Sequence, residues 1–195
     1  MAVTQSSRRR VLVAGATAAL AAALPKFGCA ASASDEPVKT RPIPHSGEQS
    51  PIVGIGTAVI FDFENDPAKQ AARRQVLETL VAGGGKLIDT AHSYGRAEDR
   101  VGDIVAESGL RDRLFLATKY SSNASRDAAA ASLQASLRRL KTNRIDLMQA
   151  WNVGDPDFDC GLMRDWQKQG VCRYIGMTTS FSGQYAAIAK VVARE

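Results

Sequence analysis

Short apolar runs alternate with longer amphipathic segments from about residue 52 onward. The apolar runs predict strands that begin near residues 52, 86, 114, 145 and 171. The first intervening segment, "DPAKQAARRQVLETLVAGGG", has Asp66 to cap a helix, Pro67 at its first position and glycines at its end. The third, "SRDAAAASLQASLRRLKT", opens on the potential cap Ser125 and carries leucines at helical spacing. The pattern therefore predicts five strands that alternate with helices.

Two further segments complete the predicted helices, and a turn-rich stretch precedes the first long strand. "AEDRVGDIVAESG" predicts a helix that stops at Gly109, and "DPDFDCGLMRDWQKQG", residues 155–170, predicts one that ends at Gly170. Upstream, Pro42 and Pro44 are followed by the turn pair Ser46 and Gly47. These residues predict a short hairpin that leads into a strand over residues 52–57.

The spacing of the strands indicates the fold class. Successive strands start 26 to 34 residues apart, which is typical of right-handed strand-helix-strand units in a parallel α/β sheet. No G-x-G-x-x-G motif opens a helix, so the dinucleotide fingerprint of the doubly wound fold is absent from the sequence. We therefore predict a (β/α)8 TIM-barrel type of domain over residues 42–195. Because such a barrel takes about 250 residues, we expect only about the first five β/α units in this chain.

Residues 1–33 have the pattern of an export signal peptide. They combine a basic start, an apolar run over residues 11–24 and small residues at Ala31 and Ala33. Ser7, Arg8 and Arg9 resemble a twin-arginine signal, so we expect passage through the twin-arginine translocase into a bacterial periplasm. We also expect cleavage after Ala33, no stable membrane insertion afterwards, and a polar tether over residues 34–41.

Two other interpretations of this segment stay open. One is a lipoprotein signal acylated at Cys29, although Lys26 stands where such a signal favours an aliphatic residue. The other is an amphipathic surface helix, which the uniformly apolar, alanine-rich run disfavours.

Charge and cysteine content exclude several function classes. The net charge is +5, and the four cations of residues 1–33, which contain no acid, account for most of it. The nearly neutral remainder has no basic patch interleaved with aromatics, so we predict no nucleic-acid partner. Cys160 and Cys172 have no histidine neighbours and fit buried thiols better than metal ligands, so we predict no metal.

Three polar residues follow the ends of predicted strands. Asp89 ends the second strand, Lys119 ends the third, and Tyr94 lies in the loop after Asp89. Barrel enzymes place their chemistry at these ends, so we expect the three side chains to share a pocket. A phenol transfers protons poorly near neutral pH until its ionised form is stabilised, and an ammonium held by a carboxylate supplies that stabilisation. Tyr94 would then be a general acid toward a carbonyl oxygen. The alternative is a structural Asp89–Lys119 ion pair with an incidental tyrosine.

Several motifs in order carry a resemblance to a known family. "GIGT" at 54–57, "IDTAHSYGRAEDRVG" at 88–102, "LATK" at 116–119, "RIDLMQ" at 144–149 and "RYIGM" at 173–177 together resemble the aldo/keto reductase superfamily. The resemblance implies an NADP(H)-dependent oxidoreductase that reduces a small-molecule aldehyde or ketone to an alcohol. It also implies that three members of a catalytic tetrad are Asp89, Tyr94 and Lys119. The positions that correspond to the family's cofactor site are Gly56, Thr57, Asp89, Thr178 and Thr179.

The sequence departs from the family pattern at two places. The fourth tetrad position, usually a histidine after the fourth barrel strand, is Trp151 in "DLMQAWN". An indole has one hydrogen-bond donor and no acceptor, so Trp151 could orient a carbonyl oxygen but could not replace imidazole in proton transfer. Thr178 and Thr179 stand where the family usually has Ser-Asn. Two alternatives therefore stay open: a non-catalytic relative that binds a nucleotide or a partner, or an inactive fragment of a longer reductase.

Overall fold

The computed structural model describes residues 37–44 and 46–194. The predicted signal peptide, with Arg8, Arg9 and Cys29, lies outside the described residues, as does part of the predicted tether. The predicted hairpin is present: β1 (Thr40–Pro42) pairs antiparallel with β2 (Gln49–Pro51). It is followed by β3 (Gly54–Gly56), which is shorter than the strand predicted over residues 52–57.

Five strands form one parallel sheet. They are β3, β4 (Leu87–Asp89), β5 (Phe115–Ser121), β6 (Ile145–Trp151) and β7 (Cys172–Thr178). The spatial order β3-β4-β5-β6-β7 is the order along the chain, and every pairing is parallel. This sequential order is that of successive units of a (β/α)8 barrel, whereas a doubly wound sheet reverses direction. The predicted fold class is confirmed.

Helices follow each parallel strand, largely where the sequence placed them. They are α1 (Pro67–Ala82), α2 (Ala97–Ser108), α3 (Arg126–Arg139), α4 (Gly161–Lys168) and α5 (Tyr185–Arg194). The Asp66 carboxylate accepts a hydrogen bond from the Lys69 amide at 3.0 Å, and Ser125 Oγ accepts one from the Ala128 amide at 3.2 Å. Gly109 ends α2 in the left-handed region, with φ 65°. The predicted caps are therefore correct.

The predicted start of α4 is wrong. The helix begins at Gly161, six residues after Asp155, where the predicted helical segment opens. Asp155 accepts a hydrogen bond from the Asp157 amide at 2.8 Å, and Asp159 accepts one from the Gly161 amide at 2.8 Å. Short acidic side chains that bond to the backbone two residues ahead form turns, and these turns compete with helix formation.

The main core lies between the sheet and the helices. The sheet residues that face the helices are fully buried, among them Ile88, Leu116, Met148 and Ala150. Residues on the opposite face, such as Leu147 and Gln149, are half-buried. Because side chains alternate along a strand, Asp89, Lys119 and Trp151 belong to this second, less covered face.

A buried polar cluster fixes β5 next to Lys119. The Glu98 carboxylate of α2 accepts hydrogen bonds from Thr118 Oγ1 at 2.6 Å and from Arg139 Nε at 2.7 Å. Glu98 is almost completely buried, so both donors are needed to offset its desolvation. The cluster connects α2, α3 and the strand residue that immediately precedes Lys119.

The hairpin packs against the opposite end of the sheet from the predicted site. Glu48, in its turn, accepts a hydrogen bond from the Tyr174 hydroxyl at 2.7 Å and pairs with Arg173 of β7. The Tyr174 hydrogen bond, with help from the Arg173 charge, lowers the pKa of the Glu48 carboxyl below its ordinary value. A cavity of about 1050 Å³ lies beside the hairpin at this end, lined by residues such as Ile43, Phe115 and Cys172. None of the predicted site residues lines it.

Candidate active site

The strand register brings the predicted residues to one edge of the sheet. Gly56 pairs with Asp89, Ser121 pairs with Trp151, and Trp151 pairs with Thr178. Each of these residues ends its strand, and Lys119 lies two residues before Ser121, the end of β5. In a parallel sheet all such ends meet at the carboxyl edge, so the sequence-predicted residues do gather in one place.

Asp89 and Lys119 form the centre of this edge. Lys119 Nζ lies 2.7 Å and 2.8 Å from the two carboxylate oxygens of Asp89, and it also donates to the Thr90 carbonyl at 2.8 Å. The lysine side chain is 8% exposed and the aspartate side chain 38% exposed. The carboxylate thus compensates the charge of a buried ammonium, as the sequence predicted.

Tyr94 lies over the ammonium. Lys119 Nζ is 5.1 Å from the centroid of the half-buried Tyr94 ring, a distance at which a cation is attracted to the ring. Two backbone hydrogen bonds hold the tyrosine in the turn before α2: its amide donates to the Ala91 carbonyl, and its carbonyl accepts from the Ala97 amide, both at 3.0 Å. Lys119 therefore contacts both of the other predicted residues, Asp89 and Tyr94.

The loop after β3 supports this turn. Asp62 Oδ1 accepts a hydrogen bond from the Arg96 amide at 3.0 Å, and Glu64 forms an ion pair with the Arg96 side chain. Gly95 has φ 56°, and a Cβ at this position would lie 2.3 Å from Asp62. A glycine is required here for both reasons, which explains why "YG" follows the acidic strand end.

Trp151 ends β6 but does not direct its donor at the Lys119–Tyr94 pair. Its Nε1–H donates a long hydrogen bond of 3.4 Å to Ser180 Oγ, on the loop after β7. The ring borders the site instead, because its centroid lies 6.4 Å from that of His92 with an interplanar angle of 72°. The indole is thus a wall of the site with its polar atom turned toward β7.

The predicted cofactor-binding residues of the first loop, Gly56 and Thr57, differ in exposure. Gly56 is exposed, and no heavy atom lies within 4 Å of the place where a Cβ would stand, so its backbone is open to approach. Thr57 is fully buried, and its hydroxyl donates to the Asp89 carbonyl at 3.1 Å. Thr57 therefore fixes the strand end that carries Asp89.

The two threonines after β7 are both half-buried. Thr178 is joined to the Trp151 turn, because its carbonyl accepts from the Asn152 amide at 2.8 Å. The Thr179 hydroxyl accepts from the Phe181 amide at 2.9 Å and bonds to the Gln184 side chain. Asn152, with φ 61°, accepts from the Ser180 amide at 3.0 Å and holds the same loop.

His92 also belongs to this edge, although it was not predicted from the sequence. Its Nδ1 lies 2.9 Å from the Lys119 carbonyl oxygen, and its ring contacts Trp151. The available signal was its position in the loop between Asp89 and Tyr94, within the run "DTAHSY". Nothing in the spacing of the residues, however, indicates that this ring reaches back to the neighbouring strand.

The described residues contain no cluster of three or more histidine, cysteine or acidic side chains able to hold a metal ion. Cys160 and Cys172 are free, buried thiols, and burial raises the pKa of Cys172 to about 11. Within the same residues, no helix has the length and apolar character to span a membrane.

Known proteins resemble this chain over the same region. An aldo-keto reductase of Mycolicibacterium smegmatis is 37% identical over 134 residues, which are 65% of this chain and 44% of that protein. Methylglyoxal reductase DkgB of Salmonella typhimurium is 33% identical over 136 residues, 66% of this chain and 47% of that protein. The chain thus spans about half the length of the curated relatives it matches.

A solved structure agrees with these relatives. The aldo-keto reductase of Klebsiella pneumoniae in complex with NADPH superposes with a TM-score of 0.63 at 26% identity, over 73% of this chain and 50% of that one. The sequence model of the Aldo/keto reductase family matches residues 52–193, which include every predicted site residue. The chain therefore belongs to the aldo/keto reductase family.

Proposed function

We propose that the protein reduces an aldehyde or ketone to an alcohol with NADP(H), and that Tyr94 is the general acid. The observation that supports this most directly is the stack of Asp89, Lys119 and Tyr94, in which a buried ammonium lies 5.1 Å from the phenol ring. Three relatives are named methylglyoxal reductases, and solved relatives hold NADPH or NADP. A small-molecule carbonyl compound is accordingly the substrate class.

The residues present fit a nicotinamide cofactor at the same edge. The open backbone at Gly56 leaves room for close approach, and Asp89, Thr178 and Thr179 border the space above the strand ends. The cofactor, when bound, supplies the hydride that the reduction needs. These positions would hold it, while the buried Thr57 acts through the backbone of Asp89.

The proton transfer depends on this chain's own residues. Tyr94 donates its hydroxyl proton to the substrate oxygen as hydride reaches the carbonyl carbon, so the C=O double bond becomes an alcohol. The phenolate that remains is stabilised by the Lys119 ammonium, and solvent restores its proton. Asp89 and the Thr90 carbonyl keep that ammonium oriented. Trp151 borders the substrate and takes no part in proton transfer.

The test is Tyr94→Phe in the protein expressed from its complete open reading frame. We expect carbonyl-dependent NADPH oxidation to fall by about 10²- to 10⁴-fold, because a general acid is lost. Tyr174→Phe is the matched control, since Tyr174 lies at the opposite end of the sheet, where its hydroxyl bonds to Glu48. Clear turnover that is indifferent to Tyr94→Phe would refute the mechanism.

A second candidate function is a non-catalytic relative that binds the nucleotide or a partner. It is favoured by Trp151, which has no acceptor atom and directs its N–H at Ser180. In this case NADPH still binds, but no aldehyde or ketone stimulates its oxidation, and Tyr94→Phe changes neither result.

We further propose that residues 1–33 export the protein to a bacterial periplasm through the twin-arginine translocase. The support is the sequence alone: Arg8 and Arg9 precede a weakly apolar, alanine-rich run. This route carries folded proteins, so a cofactor bound in the cytoplasm would cross with its enzyme. A reporter fused to residues 1–33 should reach the periplasm, and replacement of both arginines by lysine should block it. Equal export by the lysine variant would refute the assignment, and fatty acylation at Cys29 would support the lipoprotein alternative.

A further inference from the structure

His92 is held in one ring orientation by the backbone of Lys119. Its Nδ1 lies 2.9 Å from the Lys119 carbonyl oxygen, which can only accept a hydrogen bond. Nδ1 must therefore carry the proton. In a neutral imidazole the other nitrogen, Nε2, is then an acceptor with a free lone pair.

The surroundings of the ring leave that lone pair available. His92 is half-buried, and Nε2 has no hydrogen-bond partner among residues 37–44 and 46–194. On one side the ring meets Trp151 edge to face. It also lies two residues before Tyr94 in the same loop, at the edge of the sheet where the proposed reduction takes place.

We propose that His92 Nε2 accepts a hydrogen bond from a hydroxyl group on the carbon next to the substrate carbonyl. This inference rests on the proposed function and specifies its substrate class as α-hydroxy ketones and α-hydroxy aldehydes. His92 would be a specificity-determining residue, distinct from the general acid Tyr94. Trp151 would act with it by supplying an apolar wall that fixes the imidazole.

The selectivity follows from the pairing of donors and acceptors. A substrate hydroxyl satisfies the Nε2 lone pair, whereas a methyl group of similar size displaces water from it and offers no donor. Sites built to bind a hydroxyl discriminate against analogues that lack one, because the polar group of the protein is then left unpaired. Hydroxyacetone and butanone are a matched pair for this comparison, since they differ only by hydroxyl against methyl.

The test compares kcat/KM for these two ketones in the protein expressed from its complete open reading frame. We expect the wild type to prefer hydroxyacetone. His92→Asn is the decisive variant, because its amide nitrogen can replace Nδ1–H toward the Lys119 carbonyl but supplies no Nε2. His92→Phe removes both nitrogens and keeps a ring against Trp151. Ser93→Ala is the control, since Ser93 is the exposed neighbour.

Both histidine variants should lower the hydroxyacetone-to-butanone ratio by about 3- to 10-fold, the effect of one hydrogen bond, while Ser93→Ala retains it. An unchanged ratio in both variants would overturn the proposal. A ratio preserved in His92→Asn and lost only in His92→Phe would also overturn it, because His92 would then merely hold the loop.

A nitrogen-15 NMR measurement separates this proposal from the proposed function. The Nε2 resonance of His92 should move when hydroxyacetone is added with NADP and should not move with butanone. If neither ketone is reduced, the proposed function fails, and a shift specific to hydroxyacetone still supports the hydroxyl site. A protonated Nε2 in the neutral ring, or equal responses to the two ketones, would refute the assignment of Nε2 as the acceptor.

Discussion

Lys119 Nζ lies within 2.8 Å of both carboxylate oxygens of Asp89, but the two partners are buried to different extents. The lysine side chain is 8% exposed and the aspartate side chain 38% exposed. The ammonium therefore depends on the carboxylate for its compensation, whereas the carboxylate can also be hydrated. Removal of the aspartate and removal of the lysine should therefore change the stability of the protein by different amounts.

We predict that Asp89→Ala destabilises the protein more than Lys119→Met does. Asp89→Ala leaves a buried ammonium with the Thr90 carbonyl and the Tyr94 ring but no counter-charge, which should lower the free energy of unfolding by about 2 to 3 kcal/mol. Lys119→Met leaves an aspartate that water can reach, and about 1 kcal/mol is expected. Both variants should lose most of the proposed activity.

Urea unfolding of the two variants measures the difference. Arg126→Ala is a suitable control, because the Arg126–Asp165 pair is exposed on both sides and such pairs contribute under about 1 kcal/mol. If Lys119→Met is the less stable variant, the unequal burial of Asp89 and Lys119 does not determine how much each contributes to the free energy of unfolding.

Local signals in the sequence were sufficient for most of the fold. Asp66 and Ser125 each cap a helix through a hydrogen bond between residues three apart in the chain, so a sequence pattern can identify them. The start of α4 was mispredicted because Asp155 and Asp159 bond to nearby amides and form turns. An Asp-Pro pair fits a helix start and a turn equally well, and only the later residues decide between them.

The residues of the candidate site likewise include some that the sequence predicts and some that it does not. The sequence was sufficient to group Asp89, Tyr94 and Lys119, because the carboxyl ends of parallel strands lie together regardless of side-chain conformation. The contacts of His92 and Trp151 depend on side-chain torsions and on neighbours about 27 to 29 residues away in the chain. Such contacts leave no periodic pattern in the sequence, so neither the role of His92 nor the direction of the Trp151 N–H could be predicted from it.

Gly95→Ala should impair catalysis by displacing Tyr94. The added Cβ would stand 2.3 Å from Asp62, and φ 56° is unfavourable for alanine by about 1 to 2 kcal/mol. We expect the turn that carries Tyr94 to shift, so that kcat falls by at least about tenfold while NADPH affinity is retained. Gly47→Ala is the control, since Gly47 also has positive φ but lies in the distant hairpin turn with no atom near its Cβ position. Equal kcat values for the two variants would contradict the role assigned to this turn.

Stability should decline at alkaline pH through Cys172. Burial raises the pKa of this thiol from 9.0 to about 11, so the folded protein holds the proton more tightly than the unfolded chain. This contribution is fully present below about pH 9 and is lost as the pH rises toward about 11. Urea midpoints across this range measure the loss, and Cys172→Ala should show a smaller decline. Identical pH dependence in the variant would exclude Cys172 as its source.

Trp151→His tests which of the two proposed functions applies. Trp151 contacts His92 and directs its N–H at Ser180, so in an active reductase it shapes the substrate space without transferring a proton. Replacement by histidine should then shift the preference among aldehydes and ketones while turnover of the best substrate stays within about tenfold.

Trp151→Phe is the matched control for this change, because it keeps an aromatic wall and removes only the N–H. In a non-catalytic relative the parent shows no carbonyl-dependent NADPH oxidation, and Trp151→His, which introduces an imidazole at the strand end, should give trace turnover if Asp89, Tyr94 and Lys119 remain in place. Steady-state oxidation of NADPH against a panel of aldehydes and ketones distinguishes these cases. If the parent is active and both variants keep its substrate profile, Trp151 does not contact the substrate.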